Sequence, residues 1–328
     1  MLNADVAPMW DSRLYNAGFV VVKPTNISKR LYRMMKVITD KSPSTPDQSA
    51  LNTVVKILKN EDAGLNLKTL NTRRFPNGKD YFETQGHFFA PIDGQKCNKQ
   101  EKSNCAVVVH HNWIITKAAK VYRFREHLMW MYDGDDKYYS CNTRRYLMYD
   151  DRSPILLQDQ QSKVQQAVKS KSEISELKTA LTIGYLLNRT VVLPAFHSGK
   201  MNTMVPLHYV LHVRSFEAHF GGKYRENSFL RHPKVPLDVK KSGTSADSQK
   251  QIIDQSNNST LSDLNVVVSA VDVVRKFSKV NDRVLRFGSL YGITVVLGNS
   301  SEDAAFKQKL NQAFYRSHHR QYKPAGRW

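Results

Sequence analysis

A chain of two α/β domains is the fold the sequence predicts, and three observations carry it. Short β-branched apolar runs alternate with stretches of helical apolar spacing, as a layer built on a mostly parallel sheet requires. The same alternation resumes as a unit of its own after Pro154. The 328 residues are 41% hydrophobic, enough to fill real cores, and their number suits two domains or one large one.

Phe19-Val20-Val21-Val22 is a β-branched run that Pro24 stops, too short for a helix and suited to a buried strand. From Ser28 to Ile38, Leu31, Met34, Met35 and Ile38 recur at helical spacing. A Ser/Pro-rich turn from Ser42 to Pro46 leads into a second helical pattern through Leu51, Val54, Val55 and Leu58. Gly64 breaks it, and Leu65 to Leu70 alternates like a strand. Ala106 to Val109 reads as another buried strand, and Thr116 to Trp130 as a helix with a basic outer face.

The second domain, 155–328, opens on Ser170-Lys171-Ser172-Glu173, which has capping-box spacing with Ser170 as N-cap. Ile174, Leu177, Leu181 and Tyr185 mark one face of the helix, Asn188-Arg189 closes it, and Val191 to Leu193 enters a strand. Residues 240–263 are rich in Ser, Asn, Gln, Asp and Lys and read as a disordered loop. Strands at Val266 to Val268 and Ile293 to Leu297 and a helix from Glu302 to Phe314 follow.

Composition removes several classes. No apolar run approaches the roughly 20 residues that span a bilayer, and the first twenty residues lack the basic start and apolar stretch of a secretory signal. Three cysteines without CxxC spacing make neither a disulfide scaffold nor a zinc site. The net charge of +20 is diffuse, with 23 basic against 15 acidic residues up to residue 150 and 26 against 14 after it. A nucleic-acid binder concentrates such charge on one face, so the expected partners are small or glycan anions and not nucleic acid.

Four constellations in 1–150 carry chemistry. Tyr15-Asn16-Ala17-Gly18-Phe19 places a small-residue pair and an amide directly before a strand, either a plain turn or a close backbone approach to a ligand. Asp47-Gln48 at a helix start is either a cap or a carboxylate and amide able to hold sugar hydroxyls. Arg73-Arg74-Phe75-Pro76-Asn77-Gly78 is a turn signal. His110-His111-Asn112-Trp113 ends a strand, where a neutral imidazole either finds a structural partner or completes a divalent metal site. Lys117 and Lys120 share the next helical face.

In this order YNAGFVVVKPT, PDQSALN, RRFPNGKDYF and VVVHHNWI resemble the nucleotide-diphospho-sugar transferase family over about residues 4 to 130. These are GT-A-type glycosyltransferases, similar to plant cell-wall arabinosyl- and xylosyltransferases. The resemblance implies a Rossmann-like donor domain, a divalent cation (manganese as a rule) and a retaining transfer to a glycan or glycoprotein acceptor. Carried over by position, Asn16 and Gly18 line the donor sugar, and Asp47 and Gln48 are catalytic beside the reacting carbon. His110 joins the metal, Asn112 and Trp113 match the donor motif, and Lys117 and Lys120 face the diphosphate. His111 stands where the family has Asn, and Thr116 where it has Gly.

The family's Asp-x-Asp, which holds the cation, has no counterpart before Asn16, and Asp5 resembles a different position. The chain is therefore expected to begin inside a truncated donor domain, without the family's membrane anchor. Asp133-Gly134-Asp135 reads as a solvent-exposed loop. In the second half, LKTALTIGYLLNRTVVLPAF and YRENSFLRHP are similar to fucosyltransferase-like regions. The expectation is a Golgi-lumenal, manganese-dependent glycosyltransferase using a nucleotide-sugar donor. Sequons at Asn26, Asn188, Asn257, Asn258 and Asn299 suit that compartment. The alternative is a non-catalytic glycan- or protein-binding remnant of the same fold.

Overall fold

The computed structural model describes residues 3–11, 13–84, 106–114, 116–133, 137–149, 163–196, 207–242 and 266–314. It is mixed α/β, as the apolar patterning predicts, and divides into two units, 1–115 and 116–328, ahead of the boundary near 150 suggested by the sequence.

In the first unit β1 (Val6–Asp11) pairs antiparallel with β2 (Leu14–Val22). Helices α1 (Asn26–Lys41) and α2 (Asp47–Asn60) cover one face, burying Val6, Leu31, Leu51, Val54, Val55 and Leu58 in one cluster. The other face buries Ala7, Met9 and Leu70 against Phe19 and Phe75, so alternate residues of β1 serve both cores. A capping box fixes the start of α1, with the Thr25 hydroxyl accepting from Ser28 N and the Ser28 hydroxyl from Thr25 N.

Three strand expectations change here. The run at Phe19 to Val22 belongs to a longer antiparallel strand, and Val21 and Val22 are exposed. Leu65 to Leu70 lies beside β1 through Lys68 N to Val6 O (3.2 Å) and Leu70 N to Pro8 O (2.9 Å), yet forms only a single parallel bridge at Leu67. Ala106 to Val109 is no strand. It runs beside 74–76, with Val107 N donating to Arg74 O, and bridges only at His110 opposite Asn77.

In the second unit α3 (Lys117–Glu126) and the short α4 (Lys137–Ser140) precede β3 (Tyr146–Tyr149). Then come α5 (Lys163–Leu186), β4 (Thr190–Val192), α6 (Leu207–Val210), α7 (Val213–Phe220), β5 (Tyr224–Arg225) and α8 (Leu237–Lys241). The unit continues with β6 (Val266–Ser269), α9 (Ala270–Phe277), β7 (Val284–Phe287), β8 (Ile293–Val296) and α10 (Ser301–Phe314). A parallel sheet of order β5-β4-β3-β7 is its centre, and β6 and β8 form a separate parallel pair. Helix α5 packs on β3 and β4. The cluster of Tyr139, Tyr146, Val192, Phe229, Val235, Val239 and Val284 includes residues of three of the sheet's strands. Arg189, buried, ties β3 to the turn before β7 by donating to the carbonyls of Tyr146, Asp282 and Val280.

Helix α5 continues back through Ser170 to Lys163, so Ser170 is not its cap. Helix α3 is shorter than expected, ending at Glu126, and its Arg123 is buried and not on an outer basic face. Lys240 and Lys241 close the last turn of α8, and the rest of the loop expected over 240–263 lies outside the described residues after Ser242. Asp133 is ion-paired to Arg125 instead of lying free in solvent, and Gly134 and Asp135 lie outside the described residues. Among the described residues no helix is long and apolar enough to cross a membrane.

A buried polar cluster sits where β5 ends. Glu226 accepts from the hydroxyls of Tyr138 (2.6 Å) and Tyr139 (3.1 Å), and the Tyr138 ring lies 4.1 Å from the Arg125 guanidinium and 4.0 Å from that of Arg225. Burial pushes the nearby Glu126 carboxyl up to about 8, with the charge of Glu226 adding and Arg123 and Arg231 opposing. In the unfolded chain it titrates near 4.5, so between these values the folded unit holds the extra proton. The resulting stability is whole below the unfolded value and is lost as pH rises through the folded one. Stability of the protein is expected to fall from pH 5 to 8 by at most about 1.4 kcal/mol per pH unit. Glu126→Gln should flatten that slope, and an unchanged slope in a melting series would refute the assignment.

Candidate functional site

The site grows from the end of β1. Asp11 pairs with Leu14 at the close of the hairpin, and Met9 pairs with Asn16, but the next partners are Pro8 and Val20. Ala17, Gly18 and Phe19 therefore bulge from the ladder opposite Pro8, which has no N–H to offer it. Asn16 holds the bulge. Its Oδ1 accepts from Gly18 N at 2.7 Å, and its Nδ2 donates to Asp11 Oδ2 at 3.0 Å. Its side chain is buried, 2% exposed.

A second turn arrives at the same carboxylate. Asn77 Oδ1 accepts from Asp80 N (2.8 Å), while its Nδ2 reaches Asp80 Oδ2 (2.8 Å) and Asp11 Oδ1 (3.4 Å). Burial raises the Asp80 carboxyl against the Asn77 hydrogen bond, and the Asp11 charge raises it further. His110 N donates to Pro76 O, which brings the His-His-Asn-Trp stretch alongside this turn. Asn112 Nδ2 then donates to Asp11 Oδ2 (2.9 Å), Asn112 Oδ1 accepts from Gly78 N (2.9 Å), and Trp113 Nε1 donates to Asp11 Oδ1 (2.7 Å).

Both glycines are close-approach positions. A Cβ on Gly18 would fall inside the His110 imidazole, and one on Gly78 would stand 2.7 Å from Asn112 O. His110 is thus set against the bulge, whereas His111 is buried with its ring 5.0 Å from Phe82. Trp113 adopts φ +60 and is 40% exposed, with Lys79 Nζ 5.6 Å from its ring centroid. A bulky residue in this left-handed region is strained, a condition that collects at functional sites.

The structure brings together Asn16, Gly18, His110, Asn112 and Trp113. Asp47 and Gln48 stand apart from that network at the start of α2. The Asp47 carboxylate is exposed and accepts from Gln48 N at 2.7 Å, the work of a helix-end acid. One turn on, Asn52 accepts from Tyr15 N (3.0 Å) and donates to Tyr15 O (2.7 Å), fastening this end of α2 to the strand beside Asn16.

Lys117 and Lys120 lie one turn apart on α3, in the second unit. Thr116 before them has φ +82 and ψ 143, a backbone shape suited to glycine, while its hydroxyl caps α3 by accepting from Ala119 N. Thr116→Gly relieves roughly 1–3 kcal/mol of strain and gives up a few tenths in capping. A net gain of about 1 kcal/mol in urea unfolding is the expected result, and a loss would show that the cap dominates.

Among the described residues no three His, Cys, Asp or Glu stand close enough together to hold a metal ion. Asp11 is not a spare ligand, because a carboxylate offers about four lone-pair positions and four N–H donors already occupy its oxygens. The described residues therefore do not build a divalent-cation site, and His110 supplies at most one ligand to one.

Sequence reasoning missed Asp11 and passed over Asn77 as part of a turn. The available signal was an acid closing an apolar strand five residues before Asn-Ala-Gly, and an Asn-Gly pair inside a motif that already resembled a known one. Neither the curated proteins nor the solved structures contain a match to this chain. The sequence model of the nucleotide-diphospho-sugar transferase family matches residues 3–124, and this match supports that family and a glycosyltransferase-type function for the stretch that builds the site.

Proposed function

We propose that the first unit forms part of the donor site of a glycosyltransferase acting on a nucleotide-diphospho-sugar. The observation that carries this reading is the convergence of Asn16, Asn77, Asn112 and Trp113, from three separated stretches, on one carboxylate. That registration holds the three stretches as one unit. The exposed Trp113 ring offers a ligand a face, with the half-buried His110 imidazole packed against the Gly18 bulge nearby in the chain. Asp47 and Gln48 would offset positive charge at the anomeric carbon as its bond to the diphosphate breaks. The retaining course, a glycan or glycoprotein acceptor, a Golgi location and likeness to arabinosyl- and xylosyltransferases belong to the same proposal and rest on the resemblance. So does manganese, which would need carboxylate ligands beyond the described residues besides His110.

A second reading, a glycan- or protein-binding module of the same fold, is favoured by the engagement of the Asp11 carboxylate with four N–H donors, which leaves it no free position for a cation. Titration calorimetry and a donor-hydrolysis assay on the protein, with a panel of nucleotide-sugars and with or without manganese, separate the two. Turnover or nucleotide-dependent binding supports the transferase. Glycan binding without any nucleotide requirement supports the module and overturns the transferase.

A further inference from the structure

Asn16 and Asn112, expected to contact the donor, each commit an N–H and the oxygen of the side-chain amide to partners within the protein. Each Nδ2 donates to Asp11, which forces each Oδ1 to the opposite side, where it accepts a glycine N–H: Gly18 N for Asn16 and Gly78 N for Asn112. Asn77 repeats the pattern with Asp80 N. An amide rotated by half a turn would present a lone pair to the carboxylate and an N–H to another N–H, so the charge of Asp11 dictates the orientations of Asn16 and Asn112 and joins that of Asp80 in setting Asn77. Those orientations shape the two glycine turns that the His110 ring and the Asn112 backbone pack against. The same carboxylate fixes the Trp113 indole edge.

We infer that Asp11 is the positioning residue of this site, and that Asn16, Asn77 and Asn112 act through it as turn anchors. On this view the ligand meets the His110 imidazole and the Trp113 ring face, two groups suited to the sugar and diphosphate portion of a nucleotide-sugar. The inference rests on the transferase reading for its ligand but not for its geometry.

Asp11→Asn tests it, because the new amide keeps the shape and turns a donor toward groups that need an acceptor. Donor affinity for the best-binding nucleotide-sugar of the panel should fall about 10- to 100-fold, the scale of a misplaced site. The Trp113 indole proton, assigned in a 15N spectrum with Trp113→Phe, should move upfield as its charged acceptor disappears. Asp11→Asn with Asn112→Asp restores one acceptor–donor pair and should recover part of the affinity, which loss of fold alone would not allow. An unmoved indole resonance, or full affinity in Asp11→Asn, overturns the inference. A moved resonance in a protein that binds no nucleotide-sugar at all supports the geometry and overturns the transferase reading instead.

Discussion

Glu226→Ala is expected to unfold the second unit under conditions where the native protein is stable, at a cost of about 3–5 kcal/mol. Glu226 is fully buried directly after β5, and two tyrosine hydroxyls donate to it from α4. Removing the carboxyl leaves the Tyr138 and Tyr139 hydroxyls without their acceptor in a site water does not reach. It also removes a negative charge that favours the Arg125 guanidinium, which keeps its ion pair with Asp133. A cavity adds to both losses. Glu226→Gln keeps the volume and one acceptor oxygen, so its cost should be about 1–2 kcal/mol. Urea melts followed by far-ultraviolet dichroism measure both, and equal costs for the two variants would show that loss of the carboxylate, and not of volume, sets the penalty.

Gly18→Ala should cost about 1–3 kcal/mol and sharply weaken donor binding, since the added methyl and the His110 ring claim the same space. The imidazole is a side chain and can swing away, so the protein should still fold while the site loses its histidine. Gly64→Ala is the control. Gly64 has φ +71 and open space around it, so alanine there costs about 1 kcal/mol of backbone strain and leaves binding intact. Matching donor affinities for the two variants would mean that His110 has no part in the site.

Which elements were legible follows from their chemistry. Helices α1 and α10 and strands β4, β6 and β8 have clean apolar periodicity, and their bounds lie within two residues of the expected ones or extend them. Strands β3, β5 and β7 escaped notice although β3 and β5 flank β4 in the central sheet and β7 lies beyond β3. Tyr146-Leu147-Met148-Tyr149, Tyr224-Arg225 and Val284-Leu285-Arg286-Phe287 carry aromatic or charged residues where a buried strand is expected to be aliphatic. Ala106 to Val109 erred the other way. Its β-branched run satisfies local propensity, but its neighbour offers a partner only at Asn77, and propensity without a ladder does not make a strand.

The sequence by itself determined the α/β class and the apolar faces of helices such as α1 and α2, and motif resemblance nominated Asn16, Gly18, His110, Asn112 and Trp113, which the structure brings together. Tertiary structure alone decided what those residues do to one another. Asp11 reaches Asn77 across 66 positions and Trp113 across 102, and Glu226 meets Tyr138 across 88. Hydrophobic periodicity is a local property of a helix or strand and survives in the chain order. Hydrogen bonds and buried charges are directional pairings between groups far apart in the chain, and their partners exist only once the backbone has folded to bring them within about 3 Å.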